Sequence, residues 1–197
     1  MINVDIVSII YLIIRISPLL VVSHFVLQSI LNTDSKGIVY LIGLVFTCLI
    51  ASSIGALMSE GEIESSNDID CKSMGLLEFP NISLSQVSLG FTYGYLMYII
   101  FYYAGKGKTY ANLNLPTIVL FPLLIIGNGL WNNLRGCSKM SILALSLVLG
   151  LFGGAVWAYA LKYAGYKHLA LFNGISNQAI CSKPSRTKFK CVKGRNA

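Results

Sequence analysis

The chain has 197 residues, 55% of them hydrophobic and only 12% charged, with a mean hydropathy of +0.68. A soluble domain carries about 25% charged residues, so this composition argues against a water-soluble globular protein. The formal charge of +7 is uneven: Lys183, Arg186, Lys188, Lys190, Lys193 and Arg195 crowd the C-terminus.

Apolar stretches of about 20 residues, the length a helix needs to cross a bilayer, recur along the chain. The expected fold class is therefore all-α: a polytopic transmembrane helical bundle of about five spans within residues 1–170, followed by a basic tail, 171–197. The first predicted span, 6–31, is too long for a removed signal peptide and has little of a small-residue cleavage site. Pro18 within it is expected to kink the helix, and neighbours must satisfy the carbonyl that loses its donor. Arg15 and His24 are costly in hydrocarbon, so each is expected to face the bundle interior or a partner helix. For His24 a packed, hydrogen-bonded ring is preferred over a catalytic one, because the other histidine, His168, lies beyond any span.

A short turn, 32–37, leads to the second predicted span, 38–58. Ser59 to Gln86 is then the long polar interruption and holds six of the eight acidic residues. Glu60, Glu62, Glu64, Asp68 and Asp70 read either as a solvated loop or as oxygen ligands for a hard cation. Their spacing is not that of an EF-hand, so a solvated loop without metal is the expectation. The five cysteines show no CxxC pair and no interleaved histidine, which argues against zinc. Asn81-Ile82-Ser83 is a formal glycosylation sequon against the start of a helix.

The third predicted span, 84–104, is aromatic at its C-terminal end, as in an interfacial belt, and contains Gly90 and Gly94. The fourth, 115–131, carries Pro116 and Pro122, and a polar turn with Arg135 follows over 132–139. The fifth, 140–164, repeats the small-residue spacing at Gly150 and Gly154. Two glycine-notched helices imply a compact bundle, although the spacing alone does not pair them with each other.

Five spans put the chain ends on opposite sides of the bilayer. Ten cationic residues fall on the tail side (Lys36, Lys106, Lys108, Lys167 and the six of the tail) against Lys72, Arg135 and Lys139 on the other. The positive-inside rule then places the tail inside and the N-terminus outside, with the acidic loop and the Arg135 turn sharing the outer side. The tail is expected to meet anionic lipid headgroups rather than nucleic acid.

Two segments on that shared side resemble the motifs of a known family. Pro80-Asn-Ile-Ser-Leu-Ser-Gln86, opening the third span, resembles the second motif of the type 2 phosphatidic acid phosphatases, especially their dolichyl-diphosphatase-like branch. In that family the corresponding run is Pro-Ser-x-His-Ser-Gln. Asn133-Leu-Arg-Gly-Cys-Ser-Lys139, with the glycine-notched helix that ends in Trp157, resembles the third motif. The likeness covers about residues 60–165 and rests on order, spacing and helix texture. It implies a phosphatidic-acid-phosphatase-like bundle with degenerate motif positions Pro80, Ser83, Ser85, Gln86, Arg135 and Ser138.

The family's chemistry needs a histidine nucleophile and a histidine acid, and a phospho-histidine route cannot run without them. Here Ser83 or Leu84 and Ser138 or Ser141 stand at those positions, and the first motif, a lysine followed by Arg-Pro, is absent. Arg135 alone, beside several carboxylates, makes a poor anion cradle. The expectation is a retained fold without catalytic residues or cofactor: a structural or scaffolding membrane protein. The alternative is a lipid phosphate or polyprenyl diphosphate phosphatase with shuffled motifs. The resemblance further implies the setting of small degenerate members in large DNA viruses, at an inner virion membrane against other membrane or capsid proteins. It also implies that the outer loops converge, which would bring Cys71 and Cys137 within disulfide reach.

Overall fold

A computed structural model describes residues 6–31, 35–58, 78–79, 82–104, 115–134, 138–165, 180–182 and 190–192. Five long helices dominate it: α1 (Ile6–Leu31), α2 (Lys36–Leu57), α3 (Leu84–Ala104), α4 (Leu115–Leu134) and α5 (Met140–Tyr163). Two short antiparallel strand pairs depart from the all-α expectation. β1 (Glu78–Phe79) pairs with β2 (Ile82–Ser83) immediately before α3. Within the tail, β3 (Ile180–Ser182) pairs with β4 (Lys190–Val192), with Cys181 opposite Cys191.

Helices α2, α3, α4 and α5 each contain 18 or more consecutive residues apolar enough to cross a bilayer. In α1 the described apolar stretch is Ile16–Leu31. Pro18 sits inside α1 without ending it, and the Ser17 hydroxyl donates to the Ile14 carbonyl at 2.7 Å. That carbonyl is the one deprived of its donor by proline, so the repair is made by the adjacent residue. Helix α4 runs three residues past its predicted end. The Asn132 amide donates to Asn128 Oδ1 at 2.8 Å, one turn back, and ties this polar end into the helix.

Helix α3 is the centre of the bundle: 61% of its spanning stretch is buried, against 22% for α4 and α5. Its closest neighbour is α5, and the two run parallel. A Cβ on Gly150 would lie 2.9 Å from the Phe91 amide nitrogen, and one on Gly154 would lie 2.8 Å from that of Tyr95. From the other side, a Cβ on Gly90 would meet the Leu147 carbonyl oxygen at 2.9 Å, and Gly94 faces the backbone of Leu151. The two glycine pairs therefore notch into one another, and the backbones approach as only small residues permit.

Helix α2 crosses this pair antiparallel. Its Gly43 receives the indole of Trp157, whose Nε1 donates to the Val39 carbonyl at 3.1 Å, and Gly55 abuts Ile82. Between α1, α2 and α3 lies an aromatic core. Tyr40 is fully buried, with ring centroids 5.3 Å from Phe25, 5.6 Å from Phe91 and 5.7 Å from Tyr95. The outward faces are apolar too: Leu49, Leu123, Ile126, Val148 and Phe152 are all exposed, which suits a hydrocarbon solvent.

Candidate functional site

Of the described motif positions, Ser83, Ser85 and Gln86 lie where α3 begins, against α4 and α5, and Ser138 stands apart from them. Ser83 is buried, and its backbone N–H donates to Ser146 Oγ of α5 at 3.0 Å. The Ser146 hydroxyl in turn donates to the Ile142 carbonyl at 2.8 Å. A helix leaves its first N–H groups without intrahelical partners, and this relay satisfies one that water cannot reach. Ser83 Oγ and Ser85 Oγ lie 3.0 Å apart, and Ser88 Oγ donates to the Ser85 carbonyl at 3.0 Å.

Gln86 is 2% exposed, and its Nε2 donates to the Ile125 carbonyl of α4 at 3.2 Å. A Cβ on Gly129 would stand 2.8 Å from that nitrogen, so the glycine makes room for the carboxamide. Gln86 Oε1 has no partner among the described residues. A buried acceptor left unpaired costs about 1–3 kcal/mol, which makes this oxygen the natural seat for a water or another O–H donor. Asn128, 5% exposed, is the other strongly buried amide of this end.

Ser138 lies at the α4–α5 turn, its N–H directed to the Asn132 carbonyl at 3.4 Å. Six residues of α5 separate Met140 from Ser146, about 9 Å along the axis, so Ser138 is well above the Ser83–Ser146 contact. Pro80, Arg135, Cys71, Cys137 and the acidic residues from Glu60 to Asp70 lie outside the described residues, as does the side chain of Arg15. His24 is exposed on α1, edge-on to Phe25 at 5.7 Å, rather than packed as expected. An outward position is open to it because α1 packs through Phe25 and Ser29 instead. Ser29 Oγ accepts the Gly37 N–H at 2.9 Å. Among the described residues, no group of three or more His, Cys, Asp or Glu side chains gathers to hold a metal ion.

Sequence reasoning missed Ser146, Asn128, Gly129 and the pair Tyr40–Thr92. A signal existed for some of them. Asn128 and Asn132 sit one turn apart in an otherwise apolar stretch, and Ser146 stands one turn before Gly150 on the face that meets α3. Thr92 Oγ1 donates to the Ser88 carbonyl at 2.8 Å, so Tyr40 must be the donor in the 2.5 Å Tyr40–Thr92 bond.

Among its described residues the site is thus uncharged and turned inward, and the molecule around it is almost wholly helical, with four helices long and apolar enough to cross a membrane. The chain matches no protein-family model, no curated protein and no solved structure.

Proposed function

We propose that this chain is a non-catalytic, multi-pass membrane protein whose role is structural, built on a degenerate phosphatidic-acid-phosphatase-like bundle. The observation that carries the reading is how Ser83, Ser85 and Gln86 are used. Their polar groups bond to one another, to Ser146 and to the Ile125 carbonyl within the bundle, and Ser83 and Gln86 are buried. A nucleophile needs an adjacent base and an open approach to its substrate. The close parallel contact of α3 with α5 also supports the resemblance, since these are the helices that follow the two motif-like segments.

Purified protein in detergent should release no phosphate from phosphatidate or polyprenyl diphosphate above a protein-free blank. Turnover that disappears in Arg135→Ala would favour the alternative, an active lipid phosphate phosphatase.

The proposed orientation has the tail inside and the N-terminus outside, from the ten-to-three division of cationic residues. Protease added to sealed right-side-out vesicles should cut between Glu60 and Asp70 and spare residues 171–197. Loss of the tail under those conditions would invert the topology. Within this reading the partners are anionic headgroups at the tail and other membrane or capsid proteins, in the inner virion membrane that the resemblance implies.

A further inference from the structure

At the end of the bundle that leads into the basic tail, α3 and α5 build a cationic aromatic cluster. Lys162 Nζ lies 4.1 Å from the ring centroid of Tyr102 and 5.9 Å from that of Tyr98. Tyr98 meets Tyr159 edge to face at 6.2 Å, and Tyr159 stacks on Tyr163 at 6.4 Å. Tyr159 and Tyr163 are 54% and 85% exposed, so the cluster opens outward from the bundle. Four tyrosines and a lysine at a helix end mark headgroup depth, where an aromatic ring is half wet and a lysine stem reaches toward the interface.

Among the described residues no carboxylate is paired with the lysine. The one acid among them is Glu78, which precedes α3 at the opposite end of the bundle. In the whole chain, residues 32–37, 105–114 and 165–197 contain Asp34 as their sole acid, against ten lysines and arginines. The rings beneath Lys162 hold the ammonium by cation–π attraction without neutralising it. Tail-side segments so rich in cations attract anions, and at this depth the abundant anion is a lipid phosphate.

We propose that Lys162, seated on Tyr102 and Tyr98 and flanked by Tyr159 and Tyr163, is a binding site for the phosphate headgroup of an anionic glycerophospholipid in the tail-side leaflet. The site belongs to the folded bundle and is separate from the diffuse attraction of the tail. It does not depend on the structural role proposed above.

The chain has two tryptophans, and Trp157 lies five residues before Lys162 on α5, about 7.5 Å along the axis. Full-length protein carrying Trp131→Phe is reconstituted in phosphatidylcholine vesicles. Quenching of Trp157 by brominated phosphatidylglycerol is then compared with quenching by brominated phosphatidylcholine. A preference of about fivefold for the anionic lipid is expected, the effect of one lysine near a charged membrane surface. It should fall to near unity in Lys162→Gln, and persist in Lys162→Arg and in a variant with all six tail cations changed to Gln. The unfolding midpoint of Lys162→Gln should fall only slightly, by the lost cation–π contact, so that the loss of preference reads as lost binding. A preference that survives Lys162→Gln, or that vanishes when only the tail is neutralised, overturns the site. Suppression of the preference by excess inorganic phosphate would assign the cluster to a soluble anion and overturn the lipid assignment.

Discussion

Gly154→Ala should destabilise the bundle by about 3 kcal/mol, the upper end of the usual range for overpacking a tight interior. The added methyl would fall on the Phe91 carbonyl oxygen and 2.8 Å from the Tyr95 nitrogen. Both are backbone atoms of α3, so no rotamer change relieves the clash and the helices must move apart. The reciprocal notches at Gly90, Gly94 and Gly150 lose their fit at the same moment. Gly127→Ala is the matched comparison, because its methyl would meet Ile14 Cδ1 at an ordinary 3.5 Å. There the gain in helix propensity is worth up to about 1 kcal/mol, and the change should be neutral or mildly stabilising. Denaturation by sodium dodecyl sulfate, followed through tryptophan emission in mixed micelles, measures both. Equal effects at the two glycines would mean that α3 and α5 are not in backbone contact.

Tyr40→Ala should cost about 3 kcal/mol, and Tyr40→Phe only about 1 kcal/mol. The ring is fully buried among Phe25, Phe91 and Tyr95 and joins α2 to both α1 and α3. Truncation to alanine leaves a void with no atoms on one side, and dispersion lost there is not regained elsewhere. The cost sits in the lower part of the range known for aqueous cores, because lipid is as apolar as the protein interior and the transfer contribution is small. Phenylalanine keeps the packing and removes only the hydroxyl donor to Thr92, whose own proton remains on the Ser88 carbonyl. The same denaturation assay separates the two variants. If phenylalanine cost as much as alanine, the hydrogen bond and not the ring would be the organising contact.

The candidate site was legible only in part. Pro80-Asn-Ile-Ser-Leu-Ser-Gln86 drew attention through its likeness to a catalytic run, and its described polar residues do lie at a three-helix junction. Their partners were hidden. Ser146 is 63 residues from Ser83 in sequence, and a lone serine in an apolar helix looks the same whether it bonds within its own helix or also across to another. Gly129 drew no notice beside the two GxxxG pairs, yet it is the glycine that clears space for Gln86.

The sequence by itself determined the class, the helical segments and the concentration of positive charge at one end. Those properties are one-dimensional: a bilayer demands a length of apolar residues, and length and charge are read directly along a chain. Predicted and observed helix ends agree to within three residues, and α4 alone overruns by that much, through its Asn128–Asn132 bond. Only the tertiary structure decided which face of each helix turns inward, that Gly90 and Gly94 meet Gly150 and Gly154 in parallel, and that Trp157 fills the notch at Gly43. The physical reason is the solvent. In water a helix shows its buried face by contrast with a polar one, whereas in lipid the exposed Phe152 and Leu123 are as apolar as the buried Phe91 and Ile125. Hydropathy then carries no sign of direction, and steric fit between helices sets it instead.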